Sequence, residues 1–247
     1  MADAPATKSQ IFRGRLTEII PEAREVKSLR FVPEGGLSVP HLPGQFLQIT
    51  VPVPDGSRPH TRRSFTISSA PTEPGVLQIT VKRNPAGTVS NYLHLQGRVG
   101  DLFDLRAPFG RFSFTEGRAS RICLIGGGSG VTPLRAILRY ISDRRLPIEA
   151  VLLDFNRQED EIIFRQEIQD MPAVHAGIRV NLVLTNPGPG WCGLTGRIRA
   201  ELLDQTLQGF EPELVYLCGP APMMEVARGL LLARGLRPEQ ILTETFG

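Results

Sequence analysis

The residue types that could do chemistry in this chain gather in three stretches. The first is RICLIGGGSGVTPLRAILRY, residues 121–140. It reads as a short apolar strand (122–125), a turn of Gly126, Gly127, Gly128, Ser129 and Gly130, and a helix. Thr132 suits the N-cap of that helix and Pro133 its first position, where a missing N–H costs nothing. Glycines let a backbone approach a ligand closely, and the free N–H groups and dipole of a helix N-terminus attract an anion. The spacing does not say which phosphate. A dinucleotide fingerprint wants a small residue at its sixth position, which counted from Gly126 is Val131, and a P-loop ends in Gly-Lys-Ser/Thr, which is absent. A β–α turn that binds nothing is the alternative, at an entropic cost without return.

The second stretch is His60-Thr-Arg62-Arg63-Ser64-Phe65-Thr66-Ile67-Ser68-Ser69. On a strand, Arg63, Phe65 and Ile67 share one face, and Ser64, Thr66 and Ser68 point the other way. An ordinary strand with a charged end is the alternative reading. The third runs from Val81 and Lys82 through Arg83-Asn-Pro-Ala to Gly87, Thr88, Val89 and Ser90. There a strand ends in a basic pair, and a glycine turn opens a short helix (89–95), a second and weaker anion site.

The elements that must position these residues differ between the two halves. Residues 10–118 are dense in short strands: Leu77–Lys82 alternates apolar and polar, and residues 46–51 and 12–16 do so less regularly. Pro and Gly punctuate them, which predicts about six strands in a small antiparallel barrel. Residues 119–247 alternate strand and helix: strands at 122–125, 148–153, 180–184, 214–217 and 241–246, and helices at 159–170, 196–207 and 223–234. That order predicts a doubly wound parallel sheet, whose ligands sit at the carboxyl ends of the strands. The glycine turn, residues 154–157, Thr185-Asn186 and Cys218-Gly219-Pro220 all follow strands and converge on one edge. This convergence points to a nucleotide site.

Composition bounds the rest. At 247 residues, two domains are the better prior. Residues 1–9 read as a disordered start without the apolar core of a signal peptide. No apolar run is long enough to span a membrane. Cys123, Cys192 and Cys218 are too scattered for a disulfide framework or a metal site, and the four histidines lack ligand spacing, so a reduced cytoplasm and no metal are expected. The first 118 residues hold 15 Lys/Arg against 10 Asp/Glu and the remainder 13 against 15. A basic first half could steer an acidic partner. The basic residues are too dispersed for nucleic acid.

Four motifs in order, RRSFTISS, GTVSNYL, GGGSGVTP and YLCGPAPMM, resemble the ferredoxin–NADP⁺ reductase superfamily, and the resemblance covers nearly the whole chain. It implies an N-terminal Greek-key β-barrel that binds FAD (10–118) and a C-terminal α/β domain that binds NAD(P)H (119–247). It assigns Arg63 to a flavin phosphate, Phe65 to the isoalloxazine face and Thr66, with Ser64 beside it, to the N5 edge. Phe65 departs from the usual tyrosine, which keeps stacking and loses a phenol hydrogen bond. Gly87, Thr88, Val89 and Ser90 resemble the loop and helix start that hold the flavin pyrophosphate, and Val81 and Lys82 before them are expected to bind cofactor as well. Gly127, Gly128 and Thr132 would face the pyridine-nucleotide pyrophosphate, Cys218, Gly219 and Pro220 would border the nicotinamide, and Asn156 and Arg157 are expected among the cofactor-binding residues. Glu244 and Phe246 resemble the acidic–aromatic tail near the flavin, which makes Thr66, Cys218 and Glu244 the expected catalytic groups.

The resemblance implies that hydride passes from nicotinamide to flavin in the cleft between the domains, and that the flavin releases electrons singly. No nucleophile or general-base triad is visible. A fused ferredoxin would show a Cys-x4-Cys-x2-Cys run, and none is present, so the expected acceptor is a separate acidic ferredoxin or another iron protein served by a monomeric reductase. An electron-transfer subunit of a larger flavoprotein complex and a flavin-free regulatory module are the alternatives. Arg157 could pair with a 2′-phosphate, whereas Asp154 and Glu159 would repel one and Asp154 could bond a ribose hydroxyl, which leans the reading to NADH.

Overall fold

The structure, a computed structural model, describes residues 8–53 and 59–245. It divides into two compact units, residues 1–115 and 116–247. Phe246 and residues 1–7 lie outside the described residues.

The first unit contains β1 (Gln10–Ala23), β2 (Val26–Pro33), β3 (Phe46–Pro52), β4 (His60–Thr66), β5 (Leu77–Lys82), α1 (Thr88–Leu95) and β6 (Leu102–Phe109). The antiparallel order is β4-β3-β6-β1-β2-β5. An Ile67–Ile79 bridge joins the chain after β4 to β5, so the outer strands meet and the sheet closes. Closure removes both exposed edges. The alternate residues Leu16, Leu29, Phe31, Leu47, Ile49, Ile79 and Leu105 fill the interior, each at most 1% exposed. Phe31 and Phe103 meet edge to face at 5.7 Å. A side chain on Gly14 would come within 2.5 Å of Leu105 Cδ1 and would have to displace that side-chain end in the packed interior. α1 packs on β3, β4 and β5 and turns Val89 and Leu93 into the core.

β5 has the expected bounds but not the expected two-faced character. Gln78 and Thr80 are 3% and 6% exposed. Their side chains join a buried polar ladder: Thr80 Oγ1 lies 2.8 Å from Ser28 Oγ and 2.9 Å from Ser68 Oγ, and Gln78 Nε2 donates to Ser28 Oγ at 3.1 Å. Polar alternation marks a solvent face only when no partner waits opposite, and a buried polar group needs such a partner.

The second unit contains β7 (Arg121–Gly127), α2 (Val131–Asp143), β8 (Glu149–Asn156), α3 (Arg165–Val174), β9 (Ile178–Leu184), β10 (Leu194–Thr195), α4 (Ala200–Thr206), β11 (Leu214–Cys218), α5 (Ala221–Ala233) and β12 (Ile241–Glu244). All strand pairs are parallel, in the order β10-β9-β8-β7-β11-β12. α4 and α5 cover the face that carries Cys123, Ile125, Val151, Leu153, Val215 and Leu217. Leu134 of α2 lies against Gly126 on the other face.

Three expected helices shift. α2 begins at Val131 with Gly130 as its N-cap, and Thr132 Oγ1 donates to Ser129 O at 2.8 Å from inside the helix. The helix expected over 159–170 starts only at Arg165. Residues 159–161 form a 3-10 turn, and Phe164 takes a left-handed φ of 57° so that Ile162, Ile163 and Phe164 are buried in the non-helical lead-in. The helix expected from residue 196 starts at Ala200, because Leu194–Thr195 adds a short strand to β9.

Candidate active site

β4 carries the first group of candidate residues. Its register sets Phe65 opposite Leu47 and Arg63 opposite Ile49. Phe65 packs, half-buried, on the barrel core. Ser64 and Arg63 are exposed, and Arg63 has no ion-pair partner among the described residues. Thr66 is 4% exposed, and its Oγ1 has no hydrogen-bond partner among the described residues. A buried hydroxyl without a partner costs about 1–3 kcal/mol, so it fits a site that a polar ligand atom completes.

The loop before α1 is organised by Ser90. Its Oγ accepts from Asn84 N at 3.2 Å and lies 3.3 Å from Gly87 O. The Ser90 hydroxyl therefore shapes the turn, while Thr88 and Val89 open the helix. Val81 is buried, and its carbonyl lies 2.8 Å from His94 Nε2. Lys82 ends β5 on the exposed side. Since α1 packs on β4 and β5, the two cationic stretches that the sequence kept apart lie on neighbouring elements.

In the second unit the turn after β7 and the turn after β11 pack backbone to backbone. A side chain on Gly130 would come within 2.1 Å of Cys218 O. One on Gly127 would meet Met223 Sδ at 2.8 Å and Pro220 Cδ at 2.9 Å, and one on Gly219 would lie 3.0 Å from Gly127 N. These glycines are required by contact between the turns. Gly128 differs: its φ is 54° and nothing lies within 4 Å of a side chain there, so it presents open backbone next to α2. Pro220 caps α5 and aims a second helix N-terminus at the same strand edge.

Register draws a row across that edge. Glu244 pairs with Cys218, Cys218 with Gly126, and Gly126 with Asp154. Cys218 is fully buried, and burial, with the Glu244 carboxylate nearby, pushes its thiol up from the ordinary range. Burial also pushes Glu244 up to about 7, and its Oε2 has no hydrogen-bond partner among the described residues. Asp154 is pushed up to about 7 by burial, against a smaller opposing effect from the Asn156 amide, which donates to its Oδ2 at 2.7 Å. At 0% exposure, Asp154 lies beneath the edge and not on the surface that the ribose contact expected from the sequence calls for. Arg157 is exposed and unpaired among the described residues, while Glu159 pairs with Arg165. The ends of β8 and β9 are stitched together by Thr185 N to Asn156 O at 3.0 Å and Asn186 N to Arg157 O at 2.9 Å. Sequence reasoning missed the packing role of Gly126 and Gly130 and the burial of Asp154. A strand that continues Leu-Leu-Asp-Phe-Asn without a break was the available signal for the last.

Comparison with known proteins agrees with this arrangement. Residues 13–114 match the family described as oxidoreductase FAD-binding domain, and residues 124–229 the family described as oxidoreductase NAD-binding domain. The chain is 28% identical over 235 residues to the glycine betaine monooxygenase reductase subunit of Pseudomonas aeruginosa, covering 94% of this chain and 63% of that protein. It is 31% identical over 242 residues to NADH-cytochrome b5 reductase 2 of Emericella nidulans, covering 92% and 74%. Among solved structures, the flavohem-like FAD/NAD-binding domain of nitric oxide dioxygenase from Vibrio cholerae superposes with a TM-score of 0.86 at 30% identity, covering 96% and 98%. The chain thus spans less than two thirds of the length of the betaine monooxygenase relative. With both domain families matched in order on a barrel and a parallel sheet, this chain belongs to the ferredoxin–NADP⁺ reductase superfamily.

Proposed function

We propose that the protein is an NAD(P)H-dependent flavin reductase that passes electrons to a separate iron-containing acceptor. The observation that carries this is the pairing of an FAD-binding and an NAD-binding domain, each with an unsatisfied polar group at its candidate site: Thr66 Oγ1 in one, Glu244 Oε2 in the other. Bound FAD would accept a hydride and return its two electrons one at a time.

The chain's residues supply binding and electrostatics. Arg63 pairs with a flavin phosphate, Phe65 offers an apolar face to the ring, and Thr66 donates its hydroxyl to the flavin edge. Lys82, Gly87, Thr88 and Val89 hold the pyrophosphate, with Ser90 bracing the turn. Gly127, Gly128 and the start of α2 receive the nucleotide pyrophosphate, Asn156 and Arg157 border the adenosine half, and Cys218, Gly219 and Pro220 border the nicotinamide. Glu244, neutral below about pH 7, can donate a hydrogen bond without placing a charge in the site.

The acceptor we favour is an acidic ferredoxin, drawn to a first half with five more basic than acidic residues in its first 118. The scattered free cysteines suit a reducing cytoplasm. Among the described residues, no helix is long and apolar enough to cross a membrane. The test is a visible spectrum of the purified protein, followed by anaerobic titration with NADH and NADPH in turn. A flavin band that bleaches with one nucleotide supports the reading and identifies the donor. A colourless protein that takes up no added FAD overturns it in favour of a regulatory module.

A further inference from the structure

Asp154 is the one fully buried carboxylate in the row beneath the nucleotide edge that the proposed chemistry does not use. It sits mid-sheet, with β7 and β9 on either side. Its Oδ1 has no partner among the described residues, while its Oδ2 accepts the Asn156 amide. The position of a side chain on Gly126 lies 3.4 Å from Asp154 Oδ1, 3.4 Å from Val131 Cα and 3.0 Å from Leu134 Cδ1. The free oxygen and the first residue of α2 therefore border the same small space under the glycine turn.

Few charges act on this carboxyl. Its register partners on β7 and β9 are Gly126 and Leu182. Beyond Gly126 in the row lie Cys218 and Glu244. On the helices, Arg135 and Arg139 of α2 are bonded to Glu167 of α3, and Arg139 also to Asp143. What stabilises an ionised Asp154 is the Asn156 amide and the positive end of α2. A pyrophosphate on the glycine turn would draw on that same helix end.

We propose that Asp154 is a positioning residue of the pyridine-nucleotide site, which takes up one proton from solvent when the dinucleotide's pyrophosphate settles on the glycine turn above it. The proton goes to Oδ1, the oxygen without a partner. Oδ2 remains the acceptor of the Asn156 amide, so Asn156 keeps its place at the end of β8 in both states. The inference rests on the nucleotide-binding reading of the second unit and adds to it a proton linked to binding. Above neutrality the empty site holds a carboxylate that must be neutralised before the anion binds, and affinity falls with rising pH.

The test is calorimetric titration of the holoprotein with ADP-ribose, a redox-silent probe that carries the pyrophosphate, at pH 7.5 in phosphate and in Tris. The two buffers differ in ionisation heat and so report protons exchanged. Wild type should take up a large fraction of a proton per ADP-ribose, and Asp154→Asn close to none. Adenosine, which lacks phosphate, should move no proton. Between pH 6.5 and 8.5 the wild-type Kd should rise about tenfold while that of Asp154→Asn stays flat. Binding without proton uptake, or uptake unchanged in Asp154→Asn, overturns the inference alone. No binding of ADP-ribose by wild type removes the nucleotide reading with it. If Asp154→Asn does not fold, the infrared difference spectrum of wild type decides: a carboxylic-acid carbonyl band that appears with ADP-ribose supports the proposal, and its absence refutes it.

Discussion

Thr66 and Asp154 show how single polar atoms identify a site. Each is buried, and among the described residues each leaves one oxygen without a partner. Thr66→Val removes a hydroxyl that satisfies nothing within the protein. It should leave the barrel as stable as wild type to within about 1 kcal/mol, or more stable, and still slow flavin reduction by NAD(P)H about tenfold or more. Stopped-flow bleaching beside urea unfolding checks both halves of that expectation. For Asp154, the folded value of about 7 lies above the ordinary 3.8. Between these values the unfolded chain has released the proton that the folded protein keeps. Its contribution to stability is thus full below about pH 4, shrinks as pH rises to about 7, and is flat beyond. Asp154→Asn should flatten that decline and, at pH 8, exceed wild type by up to roughly 4 kcal/mol, with little gain at pH 4. Glu244, raised from 4.5 to about 7, adds a decline of the same sign that Asp154→Asn leaves in place.

At the scale of elements, the glycine turn combines two roles that one motif conceals. Gly130 meets Cys218 O, a backbone atom that cannot rotate away, so Gly130→Ala must separate the β7 and β11 turns. We expect a loss of about 3 kcal/mol in unfolding free energy together with loss of nucleotide binding. Gly128→Ala meets open space and bears only the left-handed backbone penalty, about 1–2 kcal/mol. Urea titration of the two variants should rank them in that order, and equal losses would refute the division of roles. α2 is held to α3 by a similarly local device: Arg135 bonds Glu167 at 2.9 Å and lies 5.1 Å from the centre of the Phe164 ring.

For the whole molecule, the proposed chemistry assigns a different ligand to each unit, which hydrogen exchange can read directly. FAD should protect amides in β4 and at the start of α1, and ADP-ribose those of residues 126–132 and 218–221. A reversal of the two patterns would refute the assignment. If an acidic ferredoxin is the acceptor, the second-order rate of electron transfer should fall several-fold between about 20 and 200 mM salt, because exposed charges beyond a Debye length of roughly 10 Å are screened. A rate independent of salt would point to an uncharged docking surface.

How much was legible follows from how far each signal reaches along the chain. Local signals carried the strand-rich first half, the strand–helix alternation of the second, the glycine turn and the arginine strand, because strand period, turn chemistry and helix entry are set by neighbours a few residues apart. Leu77–Lys82 was bounded correctly on that basis. Yet its polar residues face a partner ladder contributed by Ser28, dozens of residues away, which no local pattern reveals. The same limit moved the start of α3, where Ile162, Ile163 and Phe164 look like the apolar side of a helix until the buried space they fill is known. Sequence alone determined which residue types are present and which strand ends carry them. Only the tertiary structure decided that Gly130 is a contact, that Ser90 braces a loop, and that Asp154 is buried. Burial and register are properties of strands brought together from distant parts of the chain, and the free energy of a charge depends on them.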